Sequence, residues 1–299
     1  MSGSVKRGPR GRKGTILLDA AAVTLAAMPA AVLPALRKHG LYPILAAMPS
    51  NRLLKAAALR TTGLAKSYSR RAVLTGIDLE IATGAAFGLI GVNGAGKTTL
   101  IKCMLDFCSV DCGTIEIFGV RHTSTAARAR LAFVPERFAP PHYLTCREFV
   151  DLMLSLAGSP FEADRVGRLF DELSLDREAL DRPVRQLSKG MTQKLGLAGC
   201  FLVERDLYML DEPMSGLDPA SRVAVKSVLA RLTGEGRTLF FTSHVLADVE
   251  ELCSSIAVLD GGAIRFHGTP AELCARFGEA HLERAFIRCI NGHEPASIG

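Results

Sequence analysis

The sequence of 299 residues contains no tryptophan, and aromatic residues make up only 6% of it. Proteins that track single-stranded nucleic acid stack bases on aromatic side chains, so that class of function has little to work with here. None of the eight cysteines forms a CxxC pair, which argues against a zinc site. Cys103, Cys108 and Cys112 are the closest set, but they lack a fourth ligand at finger-like spacing. There is no convincing secretion signal either, so the thiols are expected to be reduced, as in a cytosolic protein. The basic excess is not spread over the chain. Of a net charge of +6, Lys6, Arg7, Arg10, Arg12 and Lys13 supply five within an acid-free terminus. Such a tail could touch acidic lipid, but a solvated end is the simpler reading, and no nucleic-acid partner is expected.

Long apolar runs are also scarce. The one candidate, residues 16–36, is long enough for a bilayer. It contains Asp19, Pro29, Pro34 and many alanines, which weigh against a span. Residues 1–58 are therefore read as an extension, basic then apolar, flexible or lying on a protein or membrane surface. What remains has ordinary globular composition, with 48% hydrophobic and 22% charged residues.

From about residue 59 short strand-like runs appear at 59–65, 73–81 and 86–90, then at 113–118 and 131–134. Helical periodicity follows at 145–157, 161–173 and 188–203. Strand patterns return at 207–210, 238–242, 256–259 and 263–266, with helices at 219–232 and 245–252 between them. Alternating strands and helices predict a parallel sheet with crossover helices. The block at about 140–205 reads as a helical insertion into it.

The run 86–90 leads into Gly91-Val92-Asn93-Gly94-Ala95-Gly96-Lys97-Thr98-Thr99. This is the GxxxxGK[ST] pattern in its required setting, after a strand and opening a helix. Gly91, Asn93, Gly94, Ala95 and Gly96 can turn backbone N–H groups around a β-phosphate. Lys97 supplies charge to the β- and γ-phosphates, Thr98 a hydroxyl for Mg²⁺, and Thr99 a contact to the α-phosphate. About one chain in a hundred of this length would carry the four fixed positions by chance, and the strand–loop–helix context lowers that. Further on, the apolar run 207–210 ends in Asp211 and Glu212. Asp211 suits Mg²⁺, directly or through water, and Glu212 suits the polarisation of an attacking water.

Ser188-Lys189-Gly190-Met191-Thr192-Gln193 resembles the LSGGQ signature of ABC ATPases and lies just before the acidic pair, as in that family. Ser215-Gly216-Leu217-Asp218 resembles the family's D-loop. His244 matches its switch histidine, and Tyr68 the aromatic that stacks on adenine. The resemblance runs from about 59 to 278, leaving 279–299 as a C-terminal tail. It implies an α/β fold of the ABC ATPase type. That fold combines a P-loop NTPase core with a mixed or parallel sheet, an N-terminal antiparallel β subdomain and an inserted α-helical subdomain.

The resemblance also implies ATP and Mg²⁺ as ligands, and a head-to-tail homodimer or heterodimer. Ser188, Gly190 and Met191 of one chain, with its D-loop Asp218, would then face ATP held by the other. Three positions depart from the pattern. Glu136 stands where the family has glutamine and can still sense Mg²⁺ or water; Lys189 replaces a signature glycine and Met191 a glutamine. These variants are similar to those of the branch that drives ABC-2-type exporters. The expected function is an ATP-hydrolysing subunit, peripheral on the cytoplasmic face of a membrane. Permease subunits in a separate chain would supply the channel and dock near Glu136 and the helices at 140–175. The alternative is a soluble ABC ATPase acting on ribosomes or nucleic acid. Such proteins usually carry tandem domains or a long coiled coil, and neither is seen here.

Overall fold

The structure, a computed structural model, describes residues 57–292. The expectations for the basic and apolar extension lie outside the described residues, except that Ala57 and Ala58 already belong to the first strand. That strand, β1 (Ala57–Tyr68), pairs antiparallel with β2 (Arg71–Ala82) and with β4 (Cys112–Ile117), and β4 turns into the short β5 (Val120–Arg121). The sheet order is β2-β1-β4-β5, which is the antiparallel subdomain the sequence suggests. Gly63, at φ +57°, takes up a register shift in β1 against both neighbours, and its N–H donates to Asp78 Oδ1 at 2.7 Å.

The second sheet runs β10-β9-β3-β8-β7-β6. Its strands are β3 (Ala86–Ile90), β6 (Leu131–Val134), β7 (Leu207–Leu210), β8 (Thr238–Thr242), β9 (Ser255–Asp260) and β10 (Ala263–Gly268). β10 is antiparallel to β9 and the remaining pairings are parallel. Every residue of β3, β7 and β8 is buried. Strands covered on both faces need continuous apolar sequence, and AFGLI, LYML and TLFFT supply it. Each fully buried leucine or phenylalanine in them contributes roughly 1.5–3 kcal/mol.

Helix α1 (Lys97–Met104) packs its Leu100, Ile101, Cys103 and Met104 into the core between the two sheets. The short α2 (Thr125–Arg128) follows β5. The insertion supplies α3 (Cys146–Ala157), α4 (Ala163–Glu172) and α5 (Lys189–Leu202). The sequence pattern placed starts at 145 and 188 because Thr145 and Ser188 are N-caps, accepting from the N–H groups of Glu148 and Met191. The core closes with α6 (Pro219–Gly234) and α7 (Leu246–Leu252). Among the described residues no helix is long and apolar enough to cross a membrane.

One boundary needs correction. The fold does not give way to a tail at 278. After α8 (Pro270–Phe277), α9 (Leu282–Ile290) buries Leu282 and Ala285 against the same core as Leu273 and Phe277. Apolar residues at 282, 285, 286, 289 and 290 recur at helical spacing. Arg288 fastens the pair by donating to Phe277 O at 3.1 Å and bridging Glu279 at 2.6 Å.

Candidate active site

In an open parallel sheet, ligands bind beyond the carboxyl ends of the strands. That edge collects the candidates. β3 runs into the Gly91–Thr99 loop, β6 precedes Glu136, β7 precedes Asp211 and Glu212, and β8 precedes Ser243 and His244. Together they line a cleft of about 470 Å³ whose walls include Asn93, Gly94, Gly96, Lys97, Thr98, Thr99, Glu136, Asp211, Glu212 and His244. Ser215, from the segment that resembles the D-loop, lines it as well, and so does Val73, which the sequence did not point to.

Two of the loop's glycines are sterically required. A Cβ on Gly91 would lie 2.3 Å from the Leu259 carbonyl oxygen of β9. Gly96 sits at φ +114°, and a Cβ there would meet Leu74 at 2.9 Å and the Val73 carbonyl at 3.0 Å. α1 therefore starts at a left-handed residue, with no side-chain cap and no acid in its first turn. Lys97, Thr98 and Thr99 of its first turn line the cleft, and an uncapped helix N-terminus of this kind is suited to receive a phosphate. Lys97 Nζ folds back to donate to Gly91 O at 2.6 Å and Val92 O at 3.2 Å. Burial pushes the Lys97 pKa down, while the charges of Glu212, Asp211 and Glu136 push the other way.

The opposite wall is acidic. Burial raises the pKa of Asp211, opposed by the Thr242 hydroxyl, which donates to its Oδ1 at 2.7 Å. Thr98 Oγ1 donates to its other oxygen at 3.4 Å. Glu212 holds φ +51°, a left-handed conformation unusual for a non-glycine residue. Strain of this kind costs about 1–3 kcal/mol and collects at functional sites. The Glu212 N–H donates to Thr242 Oγ1 at 2.9 Å. Its Oε2 stands 2.7 Å from His244 Nδ1 and accepts from the His244 N–H at 3.4 Å.

Thr242 is thus a residue the sequence reading missed. One hydroxyl fixes both Asp211 and Glu212, yet it lies 31 and 30 residues from them in the chain. Its only signal was its place at the end of a strand, directly before Ser243 and His244.

Mg²⁺ is compatible with this donor set. Thr98 and Asp211 offer hard oxygens side by side, and Mg²⁺ needs few protein ligands because it keeps water and takes phosphate oxygens.

Other predicted residues lie away from the cleft. Tyr68, 47% exposed, does not line it. Ser188 Oγ is occupied in capping α5 at 3.2 Å. A Cβ on Gly190 would touch Gly216 O and Leu217 at 3.7 Å, so the signature end of α5 rests on the 213–218 loop. Gln193 ties it there by donating to Pro213 O at 3.2 Å. Asp218 caps α6, accepting from Ser221 N–H at 3.0 Å and its hydroxyl at 2.6 Å. Gly91 and Ala95 shape the loop without lining the cleft.

The family model described as ABC transporter matches residues 74–215. The chain is 36% identical over 226 residues to an uncharacterised ABC transporter ATP-binding protein of Synechocystis, covering 75% of this chain and 62% of that one. A Nostoc relative is 35% identical, with 70% and 64% covered. The chain thus spans just under two thirds of the length of these two cyanobacterial relatives. The daunorubicin/doxorubicin resistance ATP-binding protein DrrA of Streptomyces peucetius is 34% identical over 74% of this chain and 68% of its own length. Nod factor export ATP-binding protein I of Ralstonia nicotianae is 33% identical over 72% and 68%. A solved structure of an ATP-binding subunit of an ABC transporter superposes with a TM-score of 0.70 at 29% identity, covering 78% of this chain and 99% of that one.

Proposed function

The chain belongs to the family of ABC transporter ATP-binding proteins, and from that premise we propose that it hydrolyses ATP to drive an exporter whose channel is a separate chain. The observation that carries the proposal is the constellation of Lys97, Thr98, Asp211, Glu212 and His244 around one cleft, with the Glu212 carboxylate held 2.7 Å from the histidine ring. The names of DrrA and the Nod factor export protein point to the exporter class.

In this reading the 91–99 loop and the N-terminus of α1 hold the β- and γ-phosphates, and Lys97 moves from its carbonyl partners onto them. Thr98 and Asp211 would hold Mg²⁺, which supplies neutralising charge on the transferred phosphate. Glu212 orients the attacking water and takes its proton, while Thr242 keeps the carboxylates in register. His244 contacts the γ-phosphate and fixes the Glu212 carboxylate. Glu136 senses the same region from β6, beside the surface where a permease would dock. Tyr68 stacks on adenine at the rim near Thr99. Ser188, Gly190, Met191 and Asp218 act on nucleotide bound by a second subunit, homologous or identical, so ATP favours a closed dimer and hydrolysis releases it. The subunit works at the cytoplasmic face of the membrane.

The test is capture of tagged Glu212→Gln protein with ATP from detergent-solubilised native membranes, followed by mass spectrometry. A co-purifying chain with about six apolar spans supports the proposal. Recovery of ribosomes or nucleic acid instead would overturn the transport half of it.

A further inference from the structure

Neither the cleft nor the phosphate chemistry uses two sulfurs that lie at the far end of the loop helix. α1 ends through Leu105 and Asp106, the latter at φ +61°, and the chain reverses tightly there. Phe107 N–H donates to Lys102 O at 2.8 Å and Asp106 N–H to Cys103 O at 3.1 Å. The reversal brings Cys108 Sγ to 3.5 Å from Cys103 Sγ. Both are free thiols, Cys103 fully buried and Cys108 partly exposed.

The residues after Cys108 clasp the end of β1. Asp111 accepts from Ser67 N–H at 2.7 Å and pairs with Lys66 Nζ at 3.2 Å, and its own N–H donates to Ala65 O at 3.0 Å. Lys66 Nζ in turn lies 5.4 Å from the centre of the Tyr68 ring. A hydrogen bond with Cys108 pushes the Tyr68 phenol pKa up, with Thr99 opposing it. Cys103 thus belongs to the phosphate-loop helix itself, and Cys108 stands between that helix and the exposed Tyr68.

We infer that Cys103 and Cys108 are a redox-responsive pair, oxidised by a hydroperoxide to an intrachain disulfide that weakens nucleotide binding. The accessible Cys108 sulfur attacks the hydroperoxide, breaking its O–O bond and giving a sulfenic acid and an alcohol, or water from hydrogen peroxide. Cys103 Sγ then attacks the Cys108 sulfur. The S–S bond forms, the S–OH bond breaks, and the hydroxyl leaves as water with the Cys103 proton. The two thiols together lose two electrons and the hydroperoxide gains them.

Burial and the neighbouring sulfur push the Cys103 pKa up to about 12. That leaves the more accessible Cys108 to meet the hydroperoxide first, and makes the attack by Cys103 the slower step. Closing the sulfurs to about 2.05 Å draws Cys108 toward α1, takes the thiol from Tyr68 and pulls on the Asp111 clasp. The affinity effect rests on the nucleotide reading of the cleft; the disulfide does not.

The full chain, reduced and then treated with hydrogen peroxide, is analysed by intact mass and non-reducing peptide mapping, with the affinity for a fluorescent ATP analogue measured in parallel. The expected result is loss of two hydrogens, a linked Cys103–Cys108 peptide pair and about tenfold weaker binding, restored by reductant. Cys108→Ser should keep the reduced affinity after the same treatment. Oxidation confined to other cysteines, or a linked protein with unchanged affinity, would overturn the inference. So would a Cys108→Ser variant that weakens equally. If the reduced protein does not bind the analogue, the nucleotide reading fails instead, and the peptide map still decides whether the pair oxidises.

Discussion

The carboxyl edge of the parallel sheet and the signature end of α5 carry the same kind of equipment but use it differently. Both offer a helix N-terminus with no acid in its first turn, a neighbouring lysine and a hydroxyl residue. At the sheet edge everything converges. Lys97, Thr98, Asp211, Glu212 and His244 share one cleft, and Thr242 on the next strand links the Asp211 carboxylate to the Glu212 backbone N–H. At α5 the polar groups turn to local work: Ser188 caps its own helix and Gln193 ties it to the loop after Glu212. The first region gathers its groups around one cleft. The signature end of α5 rests on the 213–218 loop and lines no part of that cleft, and in the proposed reading it acts on a second subunit's nucleotide.

Removing the cleft's charge should break the first region outright. Lys97→Ala takes away the buried ammonium among three acids, and the expected outcome is loss of measurable ATP binding by calorimetry. Unchanged affinity would end the phosphate-loop assignment. Glu212→Gln keeps the shape and removes the base, so affinity should persist while kcat falls about 10²–10⁴-fold. Turnover at the parental rate would show that the base lies elsewhere. Thr242→Val leaves the Asp211 carboxylate and the Glu212 N–H each short of a partner, at about 1–3 kcal/mol per group. A kcat lower by about tenfold to a hundredfold is expected, with a smaller change in KM.

Ser188→Ala sharpens the contrast between the two regions. If the signature acts only on a neighbour's nucleotide, the variant should bind ATP like the parent and turn over slowly. Mixing it with Lys97→Ala protein should then recover part of the activity, because the mixed dimer holds one site with both intact halves. No recovery on mixing would mean that the signature does not work in trans.

How much of this was visible beforehand follows from range along the chain. The 91–99 loop, the strand ends at 210 and 242 and the caps at Thr145 and Ser188 are set by local pattern, and the sequence reading placed them within a residue or two. Thr242 could not be read, because its partners are 30 residues away and become neighbours only when β7 and β8 pair in register. The closeness of Cys103 and Cys108 depended on the left-handed turn at Asp106, a residue with only a mild preference for that conformation. α8 was readable in principle, since Thr269-Pro270-Ala271-Glu272 spells a capping box with proline at the first helical position. α9 lies beyond the last family motif, and only the helical spacing of its apolar residues marks it.

That last element yields the prediction with the smallest effect on the chemistry. Leu282 is fully buried at the start of α9 and packs into the core that also holds Leu273 and Phe277. Yet no residue of α9 lines the cleft. Leu282→Ala should therefore cost stability of about 2–5 kcal/mol, the usual range for emptying a buried leucine site. The KM for ATP and the kcat measured well below the melting temperature should stay at parental values. Thermal unfolding followed with and without ATP separates the two quantities. A parental melting temperature would mean that residues 279–290 are the dispensable tail the motif pattern suggests. A lowered kcat at low temperature would mean instead that the C-terminal helices reach the cleft through β9, whose Leu259 carbonyl already stands against Gly91.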